Sequence, residues 1–413
     1  MPIRKHQGIV QTGGQKGKLK KGYKYSGKKL KSGLPQIVKV KKSKNKTYKK
    51  GGKALATGSY GCIFRPVIER CDPSKDYNGK VSKLALDAAT DGCPELNMGL
   101  LLNSYDKEFK HFLAVTEMCK VNPSRKVITI EDKGECPDLI IDNKLHDNLI
   151  MPSARIGLDK IFRQESKYNF GISADIIGKI IMKTCESCKI LRDNGIAHFD
   201  LKNQNMMFKW TDTDPNQPKM ESFLIDFGKE FMPTSWTDFD DNFIDYWNPM
   251  SYVWAPEIWL QFADRGNYDH DITTITEDLN DFDNTNSWYS RYITNLRDQG
   301  TTGWKKFIDK AMVYQIINGI FYWASSPDFY WYARREIQFY YVPHLHDKKN
   351  GIRFNSKIEA ILKANPGLKK LFTEMLTINP NNRPTLEQVQ NKLEELHFVK
   401  NEWEFEPNPE ANW

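Results

Sequence analysis

His198-Phe199-Asp200-Leu201-Lys202-Asn203-Gln204-Asn205, running into the apolar Met206-Met207-Phe208, is the stretch from which the rest of the chain is read. It puts a carboxylate, an ammonium and a carboxamide close together, just ahead of a short β-type run. Asp200 can orient a hydroxyl proton, Lys202 can screen developing charge, and Asn205 can offer an amide oxygen to a hard cation. Downstream, Phe223-Leu224-Ile225 is a second apolar run and ends in Asp226-Phe227-Gly228. A carboxylate released at the end of a buried strand is placed to ligate Mg²⁺. Taken singly, these runs are compatible with a surface Asp-Leu-Lys and a turn aspartate. In succession they point to phosphoryl transfer, which requires held phosphates, coordinated divalent ions and an aligned acceptor hydroxyl.

The means of holding phosphates lies upstream. In Leu55-Ala56-Thr57-Gly58-Ser59-Tyr60-Gly61-Cys62-Ile63, two glycines between β-type runs allow backbone N–H groups to approach an anion. A Gly-x-x-Gly step is also an ordinary hairpin turn, so the neighbours decide. Lys83, in Val81-Ser82-Lys83-Leu84, alternates with apolar residues about twenty positions after the turn and precedes a helix carrying Glu95. Glu108 is the competing partner for Lys83. Glu95 is preferred because Leu101-Leu102-Asn103 reads as the exit of its helix.

Around these residues the pattern predicts an α+β chain. Ala54–Ala56, Cys62–Pro66, Val81–Leu86, Val127–Ile130 and Leu149–Met151 read as strands of a small β-rich part. One helix is expected there, about Glu95–Ser104, with Leu96, Leu100 and Leu101 at helical spacing. After Leu158 the chain turns helical: Ile176, Ile177, Ile180, Ile181, Thr184, Cys188 and Leu191 recur every three or four residues and Asn194-Gly195 closes the helix. Further helices are expected at about Asp309–Trp323, Ile358–Leu376 and Thr385–Leu396. The acid-rich stretch 263–308 reads as an insertion.

The 413 residues are 39% hydrophobic and 27% charged, with no run near the roughly 18 apolar residues of a membrane span and no secretory signal pattern. The expectation is a protein that stays inside a cell. Cys62, Cys71, Cys93, Cys119, Cys136, Cys185 and Cys188 are odd in number and scattered, which argues against a disulfide framework. Cys185 and Cys188 fall inside an apolar helical pattern and read as core, not as metal ligands. Residues 1–53 hold Arg4 and 17 lysines without one acid, a charge of +18, against −10 for the remainder. Residues 1–50 are therefore expected to form a disordered basic tail, suited to nucleic acid or an acidic partner, or serving as a solubilising extension.

The order of these motifs resembles that of eukaryotic-type protein kinases over about residues 51–400, with two further matches: Ala255-Pro256-Glu257, and Arg383 within Asn379-Pro380-Asn381-Asn382-Arg383-Pro384. The resemblance implies a two-lobed fold, with an N-lobe of about 51–154, a C-lobe of about 155–400 and a C-terminal tail 401–413. It implies ATP and Mg²⁺, with Asp200 and Lys202 catalytic and Asn205 and Asp226 on the metal. Leu55, Ala56, Gly58, Ser59, Gly61, Ile63, Lys83, Glu95 and Met151 would surround the nucleotide, with 151–154 along adenine. It also implies a buried Glu257–Arg383 pair, and an Asp309 that opens the central helix and braces the 198–205 segment. Lys202, two residues after Asp200, implies Ser/Thr hydroxyls of protein substrates.

Three departures stand out. Ala56 replaces the first glycine of the family's loop, Pro152 removes a backbone donor beside adenine, and Phe199 replaces the arginine that receives an activating phosphate. Activity independent of phosphorylation in 229–254 is therefore expected. Lys50-Gly51-Gly52-Lys53, Phe64-Arg65-Pro66 and Gly79-Lys80-Val81-Ser82-Lys83 also resemble divergent kinases of large DNA viruses, which implies host cytoplasm or virion. Three readings compete: a pseudokinase scaffold, motivated by the departures; a basic-tailed nucleic-acid or virion scaffold protein, motivated by residues 1–50; and a small-molecule kinase of related fold, against which Ala255-Pro256-Glu257 and Arg383 favour a protein substrate.

Overall fold

By backbone contacts the chain divides into Met1–Lys50 and Gly51–Trp413. The computed structural model describes residues 4–6, 9–11, 23–29, 35–39, 53–58, 61–85, 94–122, 136, 144–154, 156–158, 173–211, 219–228, 232–244, 254–264, 289–319, 346–347, 351–352 and 356–398. In the first unit, β1 (Arg4–His6) pairs antiparallel with β2 (Ile9–Gln11), and β3 (Tyr23–Lys29) with β4 (Pro35–Lys39). Residues expected to lack regular structure thus include two strand pairs. The β-branched Ile9-Val10 and Ile37-Val38 supply local strand preference that the lysine excess masked in the composition.

In the second unit, β5 (Lys53–Gly58), β6 (Gly61–Arg65), β7 (Lys80–Ala85), β8 (Glu117–Val121) and β9 (His146–Pro152) form an antiparallel sheet ordered β5-β6-β7-β9-β8. Strand alternation sorts its residues. Cys62 lies opposite Leu84 and shares a buried cluster with it, Ala54, Phe64, Ile68, Val121 and Cys136, whereas Ile63 lies opposite Lys83 on the other face. β8 was missed in the sequence, where Glu117 and Lys120 break up its apolar residues; the run expected at Val127–Ile130 lies outside the described residues. Two disulfides, Cys62–Cys136 and Cys71–Cys119, overturn the expectation of unpaired cysteines. Cys185 and Cys188 are buried free thiols, as read from their helical pattern.

α1 (Pro94–Tyr105) lies where a helix was expected, with a different face inward. It buries Met98, Gly99 and Leu102, while Leu100 and Leu101 remain 51% and 38% exposed. Only the i, i+4 stripe of Met98 and Leu102 meets the core, so the leucine spacing misjudged the face.

β10 (Ile156–Gly157), β11 (Met206–Thr211) and β12 (Lys219–Leu224) form a second antiparallel sheet. β13 (His346–Asp347) pairs antiparallel with β14 (Gly351–Ile352), and the longer helices are α2 (Ala174–Asp193), α3 (Pro256–Asp264), α4 (Tyr289–Asp298), α5 (Gly300–Ile317), α6 (Ser356–Ala364), α7 (Pro366–Met375) and α8 (Leu386–Glu395). α2 starts at Ser173, whose side chain accepts the Ile176 N–H, and is followed by Gly195 at φ +74°. Thr385 and Gln388 form a capping box on α8. Pro366 at the first turn of α7 splits what the sequence reading took as one helix.

α5 buries residues all round, including Trp304, Phe307, Ile308, Met312 and Ile316, as expected of a central helix. The acidic insertion read at 263–308 needs correction at its C-terminal end. Tyr289, Tyr292, Ile293 and Leu296 are buried at helical spacing in α4, and α5 begins at Gly300. The flanking acids had concealed that periodicity. Asp309 accordingly sits inside α5 and does not open it. It accepts from Arg192 at 2.7 Å and from the Leu386 N–H at 3.4 Å, tying α2, α5 and α8 together instead of bracing 198–205. Beyond α8, Phe398 packs its ring onto α2 where Gly178 leaves room.

The second unit is a two-lobed α+β architecture, a five-stranded antiparallel sheet followed by a larger helical region, broadly kinase-like in outline. Among the described residues no helix is long and apolar enough to cross a membrane.

Candidate active site

The chemistry-bearing residues come from four places in the chain: β7, α1, the 198–205 segment and the end of β12. Lys83 projects from β7 beside the β5–β6 turn, where Gly58 pairs with Gly61. A side chain at Gly61 would meet the Leu84 carbonyl oxygen at 2.8 Å and Lys83 Cγ at 3.2 Å, so glycine is required for β6 to lie this close. Lys83 Nζ donates to Glu95 Oε1 and Oε2 at 3.0 and 2.8 Å and to Asp226 Oδ1 at 3.4 Å. Glu108 instead pairs with Lys110 at 2.6 Å, which decides between the two candidate acids. Burial works against the Lys83 charge, but Asp226 and Glu95 outweigh it and hold the ammonium well above its ordinary pKa.

Asp226 has φ +67°, in the left-handed region that aspartate tolerates better than most side chains. Residues held there store on the order of 1–3 kcal/mol and persist where surrounding contacts over-determine them. Here the contacts are visible. The Ile225 N–H bonds the Asn205 carbonyl at 3.0 Å, Leu224 exchanges backbone bonds with 111–113, and Phe227 is buried edge-on to Phe112 with centroids 5.6 Å apart. Asp226 is thereby aimed at Lys83 while Phe227 enters the core. Burial would raise the Asp226 carboxyl, but the Lys83 and Lys202 charges prevail and keep it below the usual range.

Asp200 is buried, and its Oδ2 accepts from Lys202 Nζ at 2.6 Å and from Asn205 Nδ2 at 2.8 Å. Asn205 Nδ2 also donates to the Asp200 carbonyl at 2.9 Å, so the amide oxygen, the atom a cation would take, is turned away from Asp200. Burial lifts the Asp200 carboxyl to about 6 despite the lysine beside it. His198 orders the segment from behind. Its Nδ1 accepts the Asp200 N–H at 3.3 Å and its Nε2 faces the Ile225 carbonyl at 3.4 Å, which requires the neutral Nε2–H tautomer. Burial, only partly offset by the Ile225 carbonyl, lowers the His198 pKa to about 4.

Phe199 is fully buried among Phe239, Trp304 and Phe307, with ring centroids 5.8, 6.4 and 6.3 Å away. Two tryptophans complete the anchorage: Trp254 Nε1 donates to the Phe199 carbonyl at 2.9 Å, and Trp304 Nε1 to the Gly195 carbonyl at 2.6 Å. The sequence reading did not single out either residue, although Trp254 directly precedes Ala255-Pro256-Glu257. Glu257 and Arg383 form a wholly buried pair at 2.6 and 3.1 Å. Arg383 donates further to the carbonyls of Thr377, Ile378 and Lys310, so the buried charges are well satisfied.

Of the remaining expected nucleotide contacts, Leu55 is partly exposed on β5, Ile63 lies opposite Lys83, and Met151 lies opposite Val81 on β9. Ala56 and Gly58 are placed by strand register, and Ser59 lies outside the described residues. Beyond Pro152, the Ser153 N–H bonds the Gly79 carbonyl at 2.8 Å, and Arg65 bonds the Ala154 carbonyl at 2.6 Å. A separate ion pair, Lys80–Glu117 at 3.7 Å, joins β7 to β8. Among the described residues no group of three or more His, Cys, Asp or Glu could by itself hold a metal ion. Asn205 and Asp226 are brought near one another by the Ile225 N–H to Asn205 carbonyl bond, and Mg²⁺ is commonly held by one or two carboxylates together with phosphate oxygens and water. No protein-family model matches the chain and no curated protein matches it.

Proposed function

We propose that the chain is an ATP-dependent serine/threonine protein kinase. The observation that carries this reading is Lys83, held between Glu95 of α1 and Asp226 at the end of β12, with the Asp200–Lys202–Asn205 cluster supplied by the adjoining segment. Glu95 positions the Lys83 ammonium where it can meet phosphate oxygens, and two carboxylates with distinct partners can divide metal binding from hydroxyl orientation. Asn205 and Asp226 would hold Mg²⁺, which neutralises phosphate charge when bound. Asp200 orients the acceptor hydroxyl and takes its proton, a task suited to a carboxyl raised to about 6. Lys202 screens charge on the transferring group. The resemblance extends this to Ser/Thr acceptors in proteins, and Glu257–Arg383 fits a protein substrate better than a small molecule.

Residues 1–50, with their uncompensated lysines, are proposed to bind nucleic acid or an acidic partner. A viral origin, with action in host cytoplasm or virion, rests on the wording of 50–53, 64–66 and 79–83. The deciding experiment is phosphotransfer from Mg²⁺-ATP to a generic protein substrate, with Asp200→Ala and Asp226→Ala alongside. Signal in the wild type and none in either variant is expected; equal signal in Asp200→Ala would overturn the reading.

A further inference from the structure

The two disulfides both lie in the smaller lobe, and neither belongs to the site described above. Cys62 immediately follows Gly61 on β6, and its partner Cys136 falls between β8 and β9 in sequence. Both are fully buried in the cluster behind the sheet, on the face opposite Lys83. Cys71 lies in the connection between β6 and β7, and its partner Cys119 lies on the edge strand β8. The same crossing is reinforced by Asn148 Nδ2, which donates to the Glu69 carbonyl at 3.1 Å, and by Lys75–Glu117 at 3.1 Å. The Cα–Cα separations, 5.9 and 5.3 Å, suit a cystine. The larger lobe differs. Cys185 and Cys188 lie a helical turn apart on α2, remain thiols, and burial pushes both well above their ordinary pKa, so they are poor nucleophiles for exchange.

We propose that Cys62–Cys136 and Cys71–Cys119 are functional crosslinks that hold the sheet in its nucleotide-binding shape, so that their reduction weakens nucleotide binding. The nucleotide half of this proposal rests on the kinase reading. Each crosslink forms by thiol–disulfide exchange with a disulfide-bearing oxidant. One cysteine thiolate attacks the donor disulfide and expels a donor thiolate, then the second cysteine attacks the mixed disulfide and expels the other. Two cysteine thiols are oxidised by two electrons, and the donor disulfide leaves as two thiols carrying the protons. The crosslinks span 48 and 74 residues of sequence, loops long enough for each to restrict the unfolded chain substantially. They bind the strand behind the β5–β6 turn and the far edge of the sheet to segments outside the strands. Their loss therefore loosens the frame around Lys83 without removing any group from the site.

The test uses the full-length protein purified without reductant. It is denatured and alkylated with N-ethylmaleimide before and after dithiothreitol, and the peptides are mapped. The expected result is two linked pairs, Cys62–Cys136 and Cys71–Cys119, with Cys185 and Cys188 alkylated without reduction. Affinity for a fluorescent ATP analogue and the melting temperature are then compared for native protein, reduced protein and Cys71→Ala/Cys119→Ala. The variant keeps one crosslink, so it reports even if full reduction unfolds the lobe. Reduction is expected to weaken analogue binding several-fold and to lower Tm by on the order of 10 °C, with an intermediate result for the variant. Alkylation of Cys62, Cys71, Cys119 and Cys136 without reductant overturns the proposal, as does a correct linkage map with unchanged binding and Tm. If the analogue binds neither form while Tm still falls on reduction, the crosslinks stand and the kinase reading falls.

Discussion

The two ends of the candidate site are built by different physics. At one end Lys83, Glu95 and Asp226 meet as charges from separate elements; at the other Phe199, Phe239, Trp304 and Phe307 meet as hydrocarbon. The ionic end depends on a balance between burial and attraction, and one of its supports, α1, buries only Met98, Gly99 and Leu102. The aromatic end is dry and close-packed, and Trp254 bonds the backbone beside Asp200. Packing thus fixes where Asp200 stands, whereas charge fixes where Lys83 stands. On the proposed kinase reading a phosphate on 229–254 has no role in that arrangement, because Phe199 stands where the resembling family carries an arginine.

The largest effect expected on this contrast is at Asp200. Asp200→Asn should lower phosphotransfer by about 100- to 10,000-fold, the usual contribution of a proton-accepting group, while Tm stays near wild type. A fall in Tm matching the loss of activity would assign Asp200 to the scaffold instead. Phe199→Ala opens a hole in the aromatic cluster and should destabilise by about 3–5 kcal/mol in urea unfolding. A change under 1 kcal/mol would mean that packing does not fix the segment.

A pH test separates the ends further. His198 is lowered from its ordinary 6.5 to about 4, so the unfolded chain takes up its proton at higher pH than the folded one. Its contribution is complete above pH 6.5, erodes as pH falls towards 4 and is absent below. Over that window wild type should lose about 3 kcal/mol more than His198→Gln, at 1.36 kcal/mol per pKa unit. Parallel pH curves for the two proteins would show that His198 can charge in place. Glu95→Gln keeps shape but removes one charge from Lys83. It should raise KM for ATP by about tenfold, the scale of one charged hydrogen bond, with a smaller change in kcat. A fall in kcat alone would place Glu95 in the chemical step. The smallest effect is predicted for phosphatase treatment, which should leave phosphotransfer unchanged; activity lost on treatment and restored by a phosphate within 229–254 would reverse the contrast.

The groups that bear charge were legible in the sequence because their spacing reflects local geometry. Asp200, Lys202 and Asn205 fall within six consecutive residues, and Asp226 closely follows a recognisable strand. Glu95 was separable from Glu108 because its helix could be read. What was not legible depended on the third dimension. Which cysteines pair is decided by how connections fold behind a sheet. The inward face of α1 was misjudged because Leu100 and Leu101 meet no core, and α4 was hidden because acids flank its buried tyrosines. Asp309 was placed at a helix start by resemblance, while its partner Arg192 lies 117 residues away in sequence.

The contact between Phe398 and Gly178 sets a limit on how far the protein can be trimmed. The ring closes a notch along the backbone of α2, and a side chain at position 178 would collide with it. A truncated version ending after Phe398 retains the last core residue among those described, whereas one ending a few residues earlier leaves the notch open to water, at the back of the helix that leads into Asp200.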